Sequence, residues 1–109
     1  MQDFPKNSSL TEVQKWVKDM CKERGFDTNT PLEKFLLFSE EVGELAKAIR
    51  KIQGMHIEGS YTPEQINFGI REEIADVAMY LMDIANSFSV NIEEAIREKE
   101  EINKKRTWK

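Results

Sequence analysis

Apolar residues recur every three or four positions in four stretches of the chain, each opened by a Ser, Thr or Asn with a Glu or Gln three residues later. Such a pair satisfies the backbone N–H groups that a first helical turn leaves open, so each stretch is read as a helix. Ser9 with Glu12 opens the first, which carries Leu10, Val13, Trp16, Val17, Met20 and Cys21 at helical spacing and ends at Gly25. Thr30, Pro31 and Glu33 open the second, with proline at the first helical position, and the pattern runs to Gly54. Thr62, Pro63 and Gln65 open a third running to about Phe88, and Asn91 with Glu94 a fourth running to about Arg106. No stretch alternates with the period of a strand. The predicted class is all-α, a small bundle of about four helices in which the second and third are long and antiparallel.

The connector from Gly54 to Tyr61 holds glycine and serine breakers and reads as a mobile loop, with His56 an exposed loop residue. A chain of 109 residues cannot divide its core between two parts that each fold alone, so one domain over residues 1–109 is expected. No apolar run approaches the roughly 20 residues needed to span a bilayer, and no signal-peptide core stands at the N-terminus. The lone cysteine, Cys21, lies at helical spacing from Val17 and reads as packing in a reduced, cytoplasmic protein. A net charge of −4 argues against a general nucleic-acid binder, so an anionic substrate would need local cations. Metal ions, or the basic run Lys104 to Arg106 with Lys109, are the sources available.

Carboxylates stand where the helical pattern calls for apolar residues. With Glu41 as zero, Leu37, Ala48, Ile52, Leu45, Phe38, Ile49, Val42 and Phe35 span roughly −40° to 120° around the second helix, and Glu41 falls inside that stripe. Glu44 lies at its edge and Glu40 further round, with Glu33, Lys47 and Lys51. On the third helix Glu73 borders the stripe made by Ile66, Ile70, Ile74, Val77, Leu81, Ile84 and Phe88, with Asp76 three residues on. Glu41, Glu73 and Asp76 have no cation one turn away in their own helices. An unpaired carboxylate inside a bundle costs several kcal/mol, which a hard divalent cation held by carboxylate oxygens would offset. The lack of a histidine or cysteine cluster favours Mg²⁺ or Mn²⁺ over zinc or iron. By pattern alone the same acids also fit solvated faces, or salt bridges to other helices. Asp83, seven residues after Asp76 and on nearly the same face, is read either as an additional metal ligand or a support to the ligands, or as an exposed helix charge.

Glu40-Glu41-Val42-Gly43-Glu44-Leu45 followed by Glu72-Glu73-Ile74-Ala75-Asp76-Val77 resembles the EExxE and ExxD signature of MazG-like nucleotide pyrophosphohydrolases. Lys99, Asn103 and Arg106, followed by Trp108, resemble that family's C-terminal pattern, and the likeness spans roughly residues 26 to 108. It implies an all-helical, Mg²⁺-dependent enzyme that hydrolyses a nucleoside triphosphate to the monophosphate and pyrophosphate, working as a homodimer or homotetramer. Carried over by position, Glu41, Glu44, Glu73 and Asp76 would be metal ligands. Glu40 or Glu41 would orient or deprotonate water, although a solvated role for Glu40 fits equally. Lys99, Asn103 and Arg106, at i, i+4 and i+7, would meet phosphates, the alternative being a basic helix end favoured by the macrodipole.

Phe26 stands about where some relatives stack an aromatic on the base, and equally fits a capping hydrophobe. Lys51 stands where some relatives carry a second pocket aromatic, so no base preference is implied. Trp108 fits a terminal packing anchor or a pocket wall. Phe68, Met79 and Met82, on the side of the third helix away from its main stripe, suggest a self-association surface. Two rival readings remain: a phosphoribosyl-ATP pyrophosphohydrolase-like enzyme, and a non-catalytic helical module that docks on a partner protein.

Overall fold

Four α-helices form where the capping chemistry places them: α1 (Leu10–Glu23), α2 (Pro31–Ile52), α3 (Pro63–Ser87) and α4 (Ile92–Asn103). The structure, a computed structural model, describes residues 3–53 and 62–106, and no strand occurs among them. The connector Gly54 to Tyr61, with His56, and the C-terminal Trp108 and Lys109 lie outside the described residues. The molecule is a small all-α bundle in which α2 and α3 pair extensively.

Each expected start is built as its sequence dictates. Ser9 with Glu12 and Thr30 with Glu33 form reciprocal capping boxes. Thr62 N–H donates to Gln65 Oε1 at 2.8 Å while Gln65 N–H donates to Thr62 Oγ1 at 3.1 Å. Asn91 accepts from Glu94 N–H at 2.9 Å. The ends are equally local. After α1, Gly25 takes a φ of 77°, and Phe26 N–H returns to Cys21 O at 2.8 Å. After α3 the same closure is made by Ser89, at a φ of 54°, with Val90 N–H on Ala85 O at 2.9 Å. A side chain at a φ of that sign is strained, so Ser89 holds a position that glycine would occupy more easily.

The chain divides into two compact units, one made of Met1–Thr28 with Met82–Lys109 and the other of Asn29–Leu81. In the first, Val17, Met20, Cys21 and Ala85 are buried, and Trp16 meets Phe4 edge to face at 5.2 Å. Gln14, also buried, ties α1 to the turn between α3 and α4. Its amide donates to Asn86 Oδ1 at 3.0 Å and Val90 O at 2.7 Å, and its carbonyl oxygen accepts from Ile92 N–H at 2.9 Å. Asn86 Nδ2 returns a bond to Gln14 O at 3.2 Å, so both ends of the amide are satisfied.

In the second unit, α2 and most of α3 carry the acidic motifs. The long apolar stripe read on α2 divides here. Ala48 is buried and Leu37, Phe38 and Leu45 are half-buried, but Phe35, Val42 and Ile49 are exposed. On α3, Ile66, Ile70 and Val77 are half-buried while Ile74 and Leu81 are exposed. Two paired helices cover only one side of each other, so a stripe wider than one face must leave part of itself open. Of the trio expected to form a contact surface on α3, Phe68 is exposed whereas Met79 and Met82 are half-buried.

Candidate metal centre

The inward side of α2 is marked by Lys34 and Ala48, both buried. Glu41 stands seven residues from each, two helical turns either way, and therefore on the same side. It is a half-buried carboxyl among Leu37, Phe38 and Leu45, placed by the helix and not by a loop. On α3, Glu73 and Asp76 are three residues apart, so their side chains share a face. Both are half-buried.

These positions converge. One carboxylate oxygen each from Glu41, Glu73 and Asp76 lies within 4.8 Å of the others. No other group of three potential metal ligands gathers among the described residues. Burial first, then a hydrogen bond shared with Glu73, then the negative charges of Asp76, Glu73 and Glu44 hold the Glu41 carboxyl above its usual range. Glu73 Oε2 is buried with no hydrogen-bond partner. A buried acceptor of this kind is costly unless a cation or donor meets it.

The donor set fits a hard divalent ion: all oxygens, from two helices, with one buried Glu73 oxygen that no donor meets. Glu44 is exposed beside the cluster, near enough for its charge to act on Glu41 but not among the three converging oxygens. Glu40 is exposed. Among the described residues the cluster recruits no carboxylate beyond the four singled out from the sequence. Asp83, for which an exposed position was one of two readings, is instead buried.

The remaining expected site residues belong to the other unit. Phe26 follows α1 and is half exposed, Lys99 is exposed on α4, Asn103 is half-buried at its end, and Arg106 is exposed just beyond. Asn103 N–H and side-chain positions lie where α4 gives way to a turn, with Arg106 N–H on Asn103 O at 3.1 Å.

Residues 29–107, which contain both acidic motifs and the Lys99, Asn103, Arg106 series, match the model of the MazG nucleotide pyrophosphohydrolase domain. The chain belongs to that family. The chain is also similar to an uncharacterized protein, YvdC, of Bacillus subtilis (strain 168), at 26% identity over 95 residues, covering 84% of this chain and 90% of that one. No helix among the described residues is long and apolar enough to cross a membrane.

Proposed function

We propose that this MazG protein is a Mg²⁺-dependent hydrolase of nucleoside triphosphates, canonical, deoxy or non-canonical, which releases the monophosphate and pyrophosphate in cytoplasmic housekeeping of the nucleotide pool. The observation that carries the reading is the convergence of Glu41, Glu73 and Asp76, beside which Glu73 Oε2 is buried with no hydrogen-bond partner. Those three would hold the ion, with Glu44 joining from the flank. Mn²⁺ is an acceptable substitute on the same oxygen donors. When bound, the ion neutralises charge on the phosphate chain and acidifies water.

The protein's own groups do the rest. Glu41 accepts the proton of the attacking water, with Glu40 as the alternative acceptor. Water attacks phosphorus, the bond between the monophosphate and pyrophosphate portions breaks, and the electron pair leaves with pyrophosphate. Lys99 and Arg106 are assigned to phosphate oxygens, Arg106 by its fork of donors, and Asn103 to the same anion through its amide. Phe26 is assigned to the base, on which an exposed aromatic ring can stack. The working form is a homodimer or homotetramer.

Pyrophosphate release from a panel of triphosphates tests this, with Mg²⁺, with EDTA, and with Glu41→Ala. Release that needs the metal and falls at least a hundredfold in the variant is expected. A folded, metal-bound protein that releases pyrophosphate from none of them, or only from phosphoribosyl-ATP, overturns the substrate assignment.

A further inference from the structure

With a divalent ion bound, Glu41, Glu44, Glu73 and Asp76 still leave the centre negative, because four carboxylates outnumber the charges of one such ion. An anionic ligand is repelled there unless fixed cations stand beside the ion. Lys99 and Arg106 belong to the other unit. Among the described residues, the helices that carry the acids hold five cations of their own: Lys34, Lys47, Arg50 and Lys51 on α2, and Arg71 on α3.

Direction around each helix separates them. With Glu41 as zero, Glu44 lies at about −60°, Lys51 at about −80° and Lys47 at about −120°, whereas Arg50 lies at about 180°. Arg71 lies about 160° round α3 from Glu73. Lys34 shares the inward side but is buried two turns before Glu41, and helical side chains lean toward the N-terminus, which carries it further from the acids. The same lean brings Lys47 and Lys51 back toward Glu44, from positions about 5 and about 10 Å beyond it along the axis. The charge of Glu44 acts on Glu41, so this side of α2 is the flank of the centre. Lys47 is exposed and joins no ion pair among the described residues, although Glu44 is one turn away, where opposite charges commonly pair. Lys51 is half-buried, its long stem lying partly against the protein. A basic last turn also serves the helix dipole, but that accounts for Arg50 and Lys51 alike and not for Lys47, which precedes it.

We propose that Lys47 and Lys51 bind phosphate oxygens, and that the phosphate chain of the substrate runs from the metal centre along α2 toward its C-terminal end. The inference rests on the metal-dependent reading given above and adds to it where the anion lies. Each ammonium is a point charge with three donors, suited to oxygens that the ion leaves unmet. The pyrophosphate portion is the one placed there. It gains negative charge as the bond to the monophosphate breaks, and cations fixed at that position favour the break.

Isothermal titration calorimetry with inorganic pyrophosphate in saturating Mg²⁺ tests this. Lys47→Ala and Lys51→Ala should each weaken binding about tenfold, while Lys47→Arg and Lys51→Arg should keep it within about twofold. Arg50→Ala removes the same charge from the same end of α2 on another side, and should change binding less than about twofold. The Mg²⁺-induced rise in Tm without the anion should be the same in every variant, since none touches a metal ligand. Unweakened binding in the lysine variants, or an equal loss in Arg50→Ala, which would mean that net charge alone is at work, overturns the site. So does a parent that binds no pyrophosphate with the metal in place. A parent that binds pyrophosphate through these lysines but releases it from no triphosphate supports the site while overturning the reaction proposed above.

Discussion

Glu41 on α2 and Glu73 on α3 share a hydrogen bond that favours the protonated form of Glu41, while the second oxygen of Glu73 stays buried and unpartnered. Two acids in this relation repel when both are charged, and a proton on Glu41, or the cation proposed for this site, would relieve that repulsion.

The sign of the resulting pH dependence follows. Because the folded state raises the Glu41 pKa above 4.5, the stability from its neutral form is fully present below about pH 4.5 and is lost as pH rises through the raised value. In EDTA, the Tm of Glu41→Gln should therefore gain on that of the parent as pH climbs from 4.5 toward neutrality. A gap between the two that does not change with pH would contradict the shared-proton arrangement. Saturating Mg²⁺ should raise the parent's Tm at neutral pH.

Glu73→Gln supplies an amide donor to the cluster and removes one like charge. In EDTA it should be more stable than the parent by about 1 kcal/mol, a rise of roughly 4–8 °C in Tm for a domain of this size. It should also lose most of the Mg²⁺-induced rise in Tm. Thermal melts with and without metal check both halves, and a variant that is destabilised in EDTA yet still stabilised by Mg²⁺ would remove Glu73 from the centre.

Gln14→Ala deletes a buried amide that bonds to Asn86, Val90 O and Ile92 N–H, leaving those groups unpaired beneath α1. A loss of about 2–3 kcal/mol is expected in urea unfolding, with an unchanged denaturant slope. A loss below half a kcal/mol would mean that water replaces the amide freely.

Ser89 closes α3 at a φ of 54°. Ser89→Gly should stabilise the protein by roughly 0.5–1 kcal/mol, since relief of the strained backbone outweighs the added freedom of the unfolded chain. A destabilised variant would show that the Ser89 side chain makes a contact worth more than that strain.

What could be read from the sequence was decided within short stretches of it. The four helix starts are set by side chains reaching backbone groups three residues away, as at Thr30 with Glu33, and no distant residue is needed for that. The acidic residues announced themselves in the same way, because Glu41 interrupts an apolar periodicity and Glu73 and Asp76 share a face by spacing alone. Only the tertiary structure decided which of them meet. Periodicity gives a residue's direction around its own helix, but not the rotation of one helix against another, so the convergence of Glu41, Glu73 and Asp76 without Glu44 could not be read in advance. The same reason divided the α2 stripe into a covered half near Ala48 and an open half at Phe35, Val42 and Ile49. It also buried Asp83, for which pattern alone allowed an exposed position as one of two readings, and gave Gln14 partners more than 70 positions away in the chain.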